Sequence, residues 1–425
     1  MERPVREDDG VVTCFRDGRV TLRSRRRTTG YTESLKEIGY QGIRRGDLVI
    51  HAMDAFAGAV GVAEDDGKST PVYAACVPRS DVSPRYYAHL IRRLALTGWI
   101  QANARGVRER STDYRWASFA EERLPVPPPQ DQEAIVTYLA HANQRINRAI
   151  RTKRRLIGLL RERQQAVIVE LVLRGTNASA PLVDTGNRFI GKIPEGWAIR
   201  RFSQVVTPVQ RIGHADEDLL SVYLGRGVIR YAEGGKRVHA PSLDLSAYQL
   251  VKPGDLVMNN QQAWRGSVGV SSRRGIVSPA YVVGELTQAI DPDYARYLLA
   301  ARPMIDQYVV ASKGVGDIQR SIYWPYLKTS VVPIPPVDEQ REIAGRIDSE
   351  VSATSEPIRR IEREIDLLVE FGDRLTADVV TGQVDVRSIA ARLPPIDLTD
   401  MFAASVGANQ AEDDEPTDET FMEDG

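Results

Sequence analysis

From Ile343 onward, apolar or small residues recur at steps of three and four: Ile347, Val351, Thr354, Ile358, Ile361, Ile365, Leu368, Leu375 and Val379, with Gly372 the one position on the stripe lacking a side chain. An earlier stretch repeats the pattern with Ile135, Leu139, Ala142, Ile146, Ala149, Leu156, Leu160, Val167 and Leu171, interrupted by Lys153 and by Arg163 or Gln164. This is the periodicity of a helix with one narrow apolar seam. Each stripe follows a run of prolines, which cannot continue a helix but tolerate its start. Two rods are predicted, over 130–175 and 338–383, of which about 40 striped residues each would span roughly 60 Å at 1.5 Å per residue. Pro357 lies inside the second and predicts a bend there. Such a seam cannot bury itself, so the two rods are expected to pack on each other. Parallel and antiparallel packing both satisfy that need. The antiparallel choice would give a pseudo-two-fold with a globular part at each end.

Ahead of each rod come short apolar runs broken by Gly, Pro and Asn, the pattern of strands and turns. These regions are copies of one another. Residues 40–135 align with 248–343 at a constant offset of 208, without a gap and with 25 identities in 96 positions. The best block sets YQGIRRGDLVIHAMDAFAGAVGV against YQLVKPGDLVMNNQQAWRGSVGV, and LPVPPPQDQEAI later matches VPIPPVDEQREI. An ungapped repeat of this length does not arise from compositional bias. The expected fold is therefore mixed α/β, with two similar domains over 1–129 and 181–337. The second opens with GNRFIGKIPEGWAIRRFSQVV (186–206), and the first shows no counterpart of Pro194, Gly196 and Trp197. Either the first domain is trimmed or its start lies upstream.

Composition narrows the function. A chain of 425 residues suggests two or three domains. Two cysteines, Cys14 and Cys76, give no disulfide framework and no paired-thiol zinc motif, and five scattered histidines add no metal cluster. No stretch approaches a membrane span and no signal core opens the chain, so the cytoplasm is expected. The net charge of −1 hides an asymmetry. Residues 396–425 hold ten acids and no Lys or Arg, which predicts a solvated, disordered tail and leaves 56 basic against 47 acidic residues in the body. Only eight of the basic residues are Lys. Guanidinium suits phosphate and guanine, although a GC-rich coding bias gives the same excess.

No catalytic constellation is visible. The chain has no GxxxxGK loop, no GxGxxG and no NPPY- or DPPY-like methyltransferase motif. Asp66-Gly67-Lys68 is the one acid-x-Lys tripeptide and reads as a turn. His51 and His214 lack a nucleophile at useful spacing. No catalytic or metal-ligating residue is assigned.

Candidate DNA contacts are local. Arg23, Arg25, Arg26 and Arg27 form a tight cluster. Segment 105–116 interleaves Arg105, Arg108, Arg110 and Arg115 with Tyr114 and Trp116. Its repeat counterpart offers Lys313, Gln319, Arg320 and Tyr323. Asn259, Asn260, Gln261, Gln262 and Arg265 follow in near succession, with Arg273 beyond. Asn and Gln can read adenine through two hydrogen bonds, and Arg can read guanine. For each residue three readings stand: base contact, phosphate contact and plain solvated surface. Trp264 and Trp324 are expected in the core. The basic run on the first rod, from Arg145 to Arg155, faces DNA, a partner or solvent.

VPIPPVDEQREIAGRID (332–348), ADVVTGQVDV (377–386) and GKIPEGWAIRRFSQV resemble the specificity subunits of type I restriction-modification systems. LPVPPPQDQEAIVTYL is a weaker match, with Asp131 where that family prefers Glu. The resemblance implies two target-recognition domains separated by two antiparallel helices, each reading one half of a split, asymmetric site in double-stranded DNA. It implies a non-catalytic chain docking two methyltransferase subunits and restriction or translocase subunits. S-adenosylmethionine, ATP and Mg would belong to those partners, with no cofactor on this chain. An orphan bivalent DNA-binding or scaffold protein, without modification partners, is the competing expectation.

Overall fold

The structure is a computed structural model that describes residues 3–26, 38–79, 81–103, 119–234, 242, 244–315 and 319–398. The chain divides into two compact units, residues 1–156 with 360–425, and residues 157–359.

In the first unit, β1 (Val12–Cys14) pairs with β2 (Val20–Leu22), and β3 (Gln41–Ile43) pairs with β6 (Gly67–Ser69). The strand β4 (Leu48–His51) lies between β5 (Val60–Val62) and β7 (Tyr73–Cys76), all antiparallel. The apolar alternation of β4 and β5 needs a cover, and α1 (Pro84–Leu96) supplies it. Ser83 caps α1 by accepting from the Tyr86 amide, and Pro84 sits in its first turn, where no amide donor is required. Tyr86, Leu90, Ile91 and Ala95 of α1 are buried with Leu48, Ile50 and Val60. A short α2 (Trp99–Asn103) follows, then the long α3 (Pro129–Arg174).

In the second unit, β8 (Leu182–Asp184) pairs with β9 (Lys192–Pro194). The strand β10 (Ala198–Arg201) leads to β11 (Val206–Val209), and β12 (Leu220–Tyr223) pairs with β13 (Gly227–Arg230). Beyond these, β14 (Gln249–Val251) pairs with β17 (Gly275–Val277). The strands β15 (Leu256–Asn259), β16 (Val268–Val270) and β18 (Tyr281–Leu286) join β11 in a sheet ordered β11-β18-β15-β16. The helices α4 (Pro292–Leu298) and α5 (Arg302–Val310) precede a hairpin of β19 (Ser312–Val315) and β20 (Gln319–Ile322). The short α6 (Trp324–Leu327), β21 (Val331–Ile334) paired to β10, and the long α7 (Val337–Val380) close the order, with α8 (Arg387–Ala390) near the end.

The offset of 208 holds at the level of single hydrogen bonds. Gln41 donates to the Tyr73 carbonyl at 2.5 Å, and Gln249 to the Tyr281 carbonyl at 2.7 Å. Asp47 accepts from the Arg44 amide at 2.8 Å and the Arg3 guanidinium at 2.6 Å; Asp255 accepts from the Lys252 amide at 2.7 Å and Arg211 at 2.6 Å. Gln132 accepts from the Ser83 amide and donates to the Pro127 carbonyl, both at 2.8 Å. Gln340 does the same with the Asp291 amide and the Pro335 carbonyl, at 2.7 and 2.9 Å. Gly58 and Gly266 turn the chain at φ of 90° and 104°, where any side chain would be strained.

The long helices run antiparallel. In the first unit Lys153 bonds Glu364 at 2.5 Å, and a Cβ built on Gly372 would lie 3.5 Å from the Ile146 side chain. In the second, Gln164 donates to the Thr354 hydroxyl at 3.0 Å. The seam of α7 follows the stripe, with Ile343, Ile347, Ile358, Ile365 and Val379 buried. That of α3 departs from it: past Ile146 the buried residues are Asn147, Ile150, Ile157, Ile168, Val172 and Leu173, and Leu156 is exposed. Lys153 and Gln164 are the cause. They occupy seam positions and pair across it, so a stripe drawn around them runs one residue out of phase. The helix α7 is continuous through Pro357, which is exposed, as is Ala353, whose carbonyl loses its donor to the proline ring and faces water.

The first unit is assembled from both ends of its sequence. After α7, Gly382 turns at φ 77°, and Val386, Ile396 and Leu398 pack with the α1 core. Ile396 and Leu398 thus belong to the fold, although the charge pattern places the start of the acidic tail there. Arg3 plays the part of Arg211, which in the second unit follows β11. Among the described residues nothing corresponds to β10 or β11, and β7 is an edge strand where β18 is flanked.

Candidate nucleic-acid interface

The strand β15 ends at Asn259, and the chain turns sharply back into β16. The turn is built by Asn259, whose side-chain oxygen accepts from the Gln261 amide at 3.0 Å, and by Trp264, whose indole donates to the Gln261 carbonyl at 2.8 Å. These bonds fix the backbone and leave Gln261 exposed and Gln262 half-buried. The β19–β20 hairpin is tied to this loop, since the Ile322 amide donates to the Asn260 carbonyl at 3.0 Å. Arg265 and Arg320 both stand over the Trp264 ring, at 4.6 and 5.5 Å from its centre. Lys313 lies 3.7 Å from the centre of the Tyr323 ring and 4.9 Å from that of Tyr326. Cation–π contact holds the three cations in place without neutralising them. Gln319 sits on β20 opposite Val315, and Arg273 lies 3.8 Å from Glu233.

Trp264 therefore has a role that sequence reading missed. Trp324 packs on the core, 6.0 Å from Phe202 ring to ring, as expected. Trp264 is half-buried outside that core and organises two guanidinium groups. Tyr326 is a second omission. For Trp264 one signal was available, since Arg265 follows it directly in the sequence.

The equivalent loop of the first unit carries different groups. His51 lies 3.1 Å from Asp54, which also accepts from Arg16 at 3.0 Å. The imidazole, then the Arg16 guanidinium, holds the Asp54 carboxyl down at about 2. The arginine cluster nearby is largely spoken for. Arg23 donates to the Thr13 hydroxyl at 3.2 Å, Arg25 pairs with Asp65 at 2.9 Å and Arg26 with Asp17 at 2.6 Å. Arg27, Arg105, Arg108, Arg110, Tyr114 and Arg115 lie outside the described residues. Asp66 of the acid-x-Lys tripeptide accepts from the Arg45 amide at 2.9 Å, in keeping with a turn.

Among the described residues no helix is long and apolar enough to cross a membrane. No family model and no curated relative matches the sequence. A solved structure on complex assembly and conformational transition of the type I R-M system matches 81% of this chain and 84% of its own, at 16% identity and a TM-score of 0.58. The HsdS subunit from Thermoanaerobacter tengcongensis matches at 15% identity and a TM-score of 0.36, over 86% of this chain and 83% of its own. The type I restriction-modification S subunit from M. genitalium matches at 11% and 0.33, over 89% and 92%. At these identities the likeness is one of fold, and the first structure carries it: the chain has the fold of that type I R-M chain.

Proposed function

We propose that this chain is the DNA sequence-recognition subunit of a type I restriction-modification complex. On this reading it binds a bipartite, asymmetric site in double-stranded DNA, docks methyltransferase and restriction subunits, and catalyses nothing itself. It would act in the cytoplasm. The observation that carries the reading is the pairing of a shared frame with divergent loops. Gln41, Asp47, Gly58 and Gln132 repeat the hydrogen bonds and turns of Gln249, Asp255, Gly266 and Gln340. On that frame, one unit presents His51 and Asp54 where the other presents Asn259 and Gln262. Two readers of unlike half-sites require this combination: backbone geometry shared between units, and donors and acceptors that differ.

In the second unit, Gln261, Gln262 and Arg265 from the loop and Arg320 from the hairpin are the base-reading candidates, with Arg273 and Lys313 as phosphate contacts. The first unit's ion-paired cluster at Arg25 and Arg26 is a weaker candidate, because its charges already have carboxylate partners. The test is co-expression with a type I methyltransferase subunit, followed by sequencing of methylated adenines. The expected product is a two-part motif, and replacing loop 259–265 should alter one half of it. Methylation that ignores the loop, or stable binding without any methylation alongside a competent methyltransferase, would remove the reading.

A further inference from the structure

The offset of 208 reaches further back than residue 40. The β1–β2 hairpin matches β12–β13 strand for strand, with Val12, Cys14 and Val20 falling on Leu220, Val222 and Val228. The parallel bridge of Val11 to Lys68 recurs as Leu219 to Ile276. The two hairpin turns, residues 15–19 and 223–227, are therefore equivalent.

In each unit the turn sits directly on the loop that follows β4 or β15. In the first unit a Cβ added to Gly61 would collide with the Gly18 carbonyl, and one added to Gly58 would lie 3.1 Å from the Arg16 carbonyl. Arg92 of α1 is buried and donates to the carbonyls of both Arg16 and Gly58, which ties turn to loop. In the second unit the position of Arg92 is taken by Ala300. There the Ser267 hydroxyl donates to the Val222 carbonyl at 3.1 Å, and a Cβ on Gly266 would lie 3.0 Å from Ile305 and 3.6 Å from Leu224. Unlike side chains thus hold one arrangement.

At the equivalent positions 16 and 224 the turns present opposite chemistry. The Arg16 side chain is 53% exposed and reaches Asp54 of the loop through Nη2 at 3.0 Å. Asp54 stands at the position of Gln262, and its second oxygen lies 3.1 Å from His51. Leu224 is 59% exposed. A carboxylate that holds one nitrogen of a guanidinium weakens its pull on phosphate but fixes the plane of the fork. A fixed fork is what the O6 and N7 of guanine select, and an apolar side chain suits the methyl group of thymine.

We propose that these turns are a second reading element of each unit, with Arg16 contacting a guanine in one half-site and Leu224 a thymine methyl in the other. Asp54 is the positioning residue for Arg16. The inference rests on the DNA-recognition reading and adds to it readers outside the loop and the β19–β20 hairpin.

Co-expression with a type I methyltransferase subunit, with methylation scored on a plasmid library randomised in each half-site, tests it. Absence of a two-part motif from the parent chain removes the recognition reading and this inference with it. Given that motif, Arg16→Ala should lower discrimination at one G·C pair by about five- to 150-fold. The pair should lie in the half that replacing loop 259–265 leaves intact. Arg16→Lys keeps the charge without the fork and should relax the same pair. Asp54→Asn should relax it too, and the double variant with Arg16→Ala no further. Leu224→Ala should lower the preference for one A·T pair in the other half by about fourfold. Both turn residues are exposed, so neither substitution threatens the fold. A motif unchanged by Arg16→Ala, relaxation at an A·T pair instead, uniform weakening of all sequences, or full retention in Arg16→Lys each overturns the role of Arg16 and leaves the recognition reading standing. A different pair relaxed by Asp54→Asn overturns its positioning role, and an A·T preference untouched by Leu224→Ala overturns the claim for the second turn.

Discussion

Tyr86 donates its phenol hydroxyl to the carbonyl of Val380 at 3.2 Å, and Tyr294 makes the same bond to Val172 at 2.9 Å. Each tyrosine follows the N-cap of the helix that covers its sheet. Each acceptor lies in the last turn of a long helix, where carbonyls lack intrahelical donors. The helix end thus obtains its missing donor from a globular part, and the buried hydroxyl obtains its acceptor.

Removing either hydroxyl should be measurable. Tyr86→Phe and Tyr294→Phe each leave a buried carbonyl without that donor, at a cost of about 1–2 kcal/mol. Urea unfolding of each variant checks this. The loss should fall on the unit that contains the altered tyrosine, and an unchanged midpoint in both would show that the bonds contribute nothing.

The helix seam makes a second prediction. Ile365 is buried between α7 and α3, so Ile365→Asp places an unpaired charge there at several kcal/mol, roughly 3 or more. Ile361 is only half-buried, and Ile361→Asp should cost less. Soluble expression and thermal melting rank the two. Equal tolerance of both would mean that the helices do not depend on this contact.

Recognition by the second unit can be dissected by alanine substitution. A base reader among Gln261, Gln262, Arg265 and Arg320 should cost about 1–3 kcal/mol on removal and relax one base pair of one half-site. Removing Lys313 or Arg273 should weaken every sequence alike and flatten the salt dependence. Trp264→Ala should act on Arg265 and Arg320 together, because both lean on its ring. Methylation motifs mapped for each variant separate these outcomes, and a motif unchanged in all of them would clear the loop of any reading role.

Acid should weaken the first unit through His89. Burial, reinforced by the Arg92 guanidinium, pushes this imidazole down to about 3. Its folded pKa lies below its unfolded value of about 6.5, so the native state binds the proton less readily. The neutral side chain imposes no penalty above pH 6.5. As pH falls from there toward 3, stability should drop by up to about 1.4 kcal/mol per unit. Denaturation of His89→Gln across that range should show a shallower slope than the parent chain. Identical slopes would exclude His89 as the source.

Much of this was open to reading in the residues. The repeat was visible because Gly46, Asp47, Gly58 and Gln132 keep one task in both copies, and a task done by backbone geometry permits few substitutes. The phase of α3 was hidden because Lys153 and Gln164 look like interruptions until Glu364 and Thr354 are found opposite. The arginine cluster looks free in sequence because its partners, Asp17 and Asp65, are not marked there as neighbours. Trp264 escapes sequence reading because ring hydrophobicity alone does not distinguish a core residue from a support for two cations. The joining of 381–398 to the first unit could not be read from periodicity, since it depends on which end of a long helix meets which sheet.

The two-ended assembly of the first unit bears on synthesis. The second unit is one unbroken stretch, residues 157–359, whereas the first needs residues 360–398 as well. A chain emerging from the ribosome therefore has everything the second unit requires while the first still waits for its last strip. The usual order, in which the domain made first is finished first, is reversed. Until Val380 and Leu398 arrive, Tyr86 and the apolar face of α1 around it are exposed on a nascent chain, and that interval is when a chaperone has most to shield.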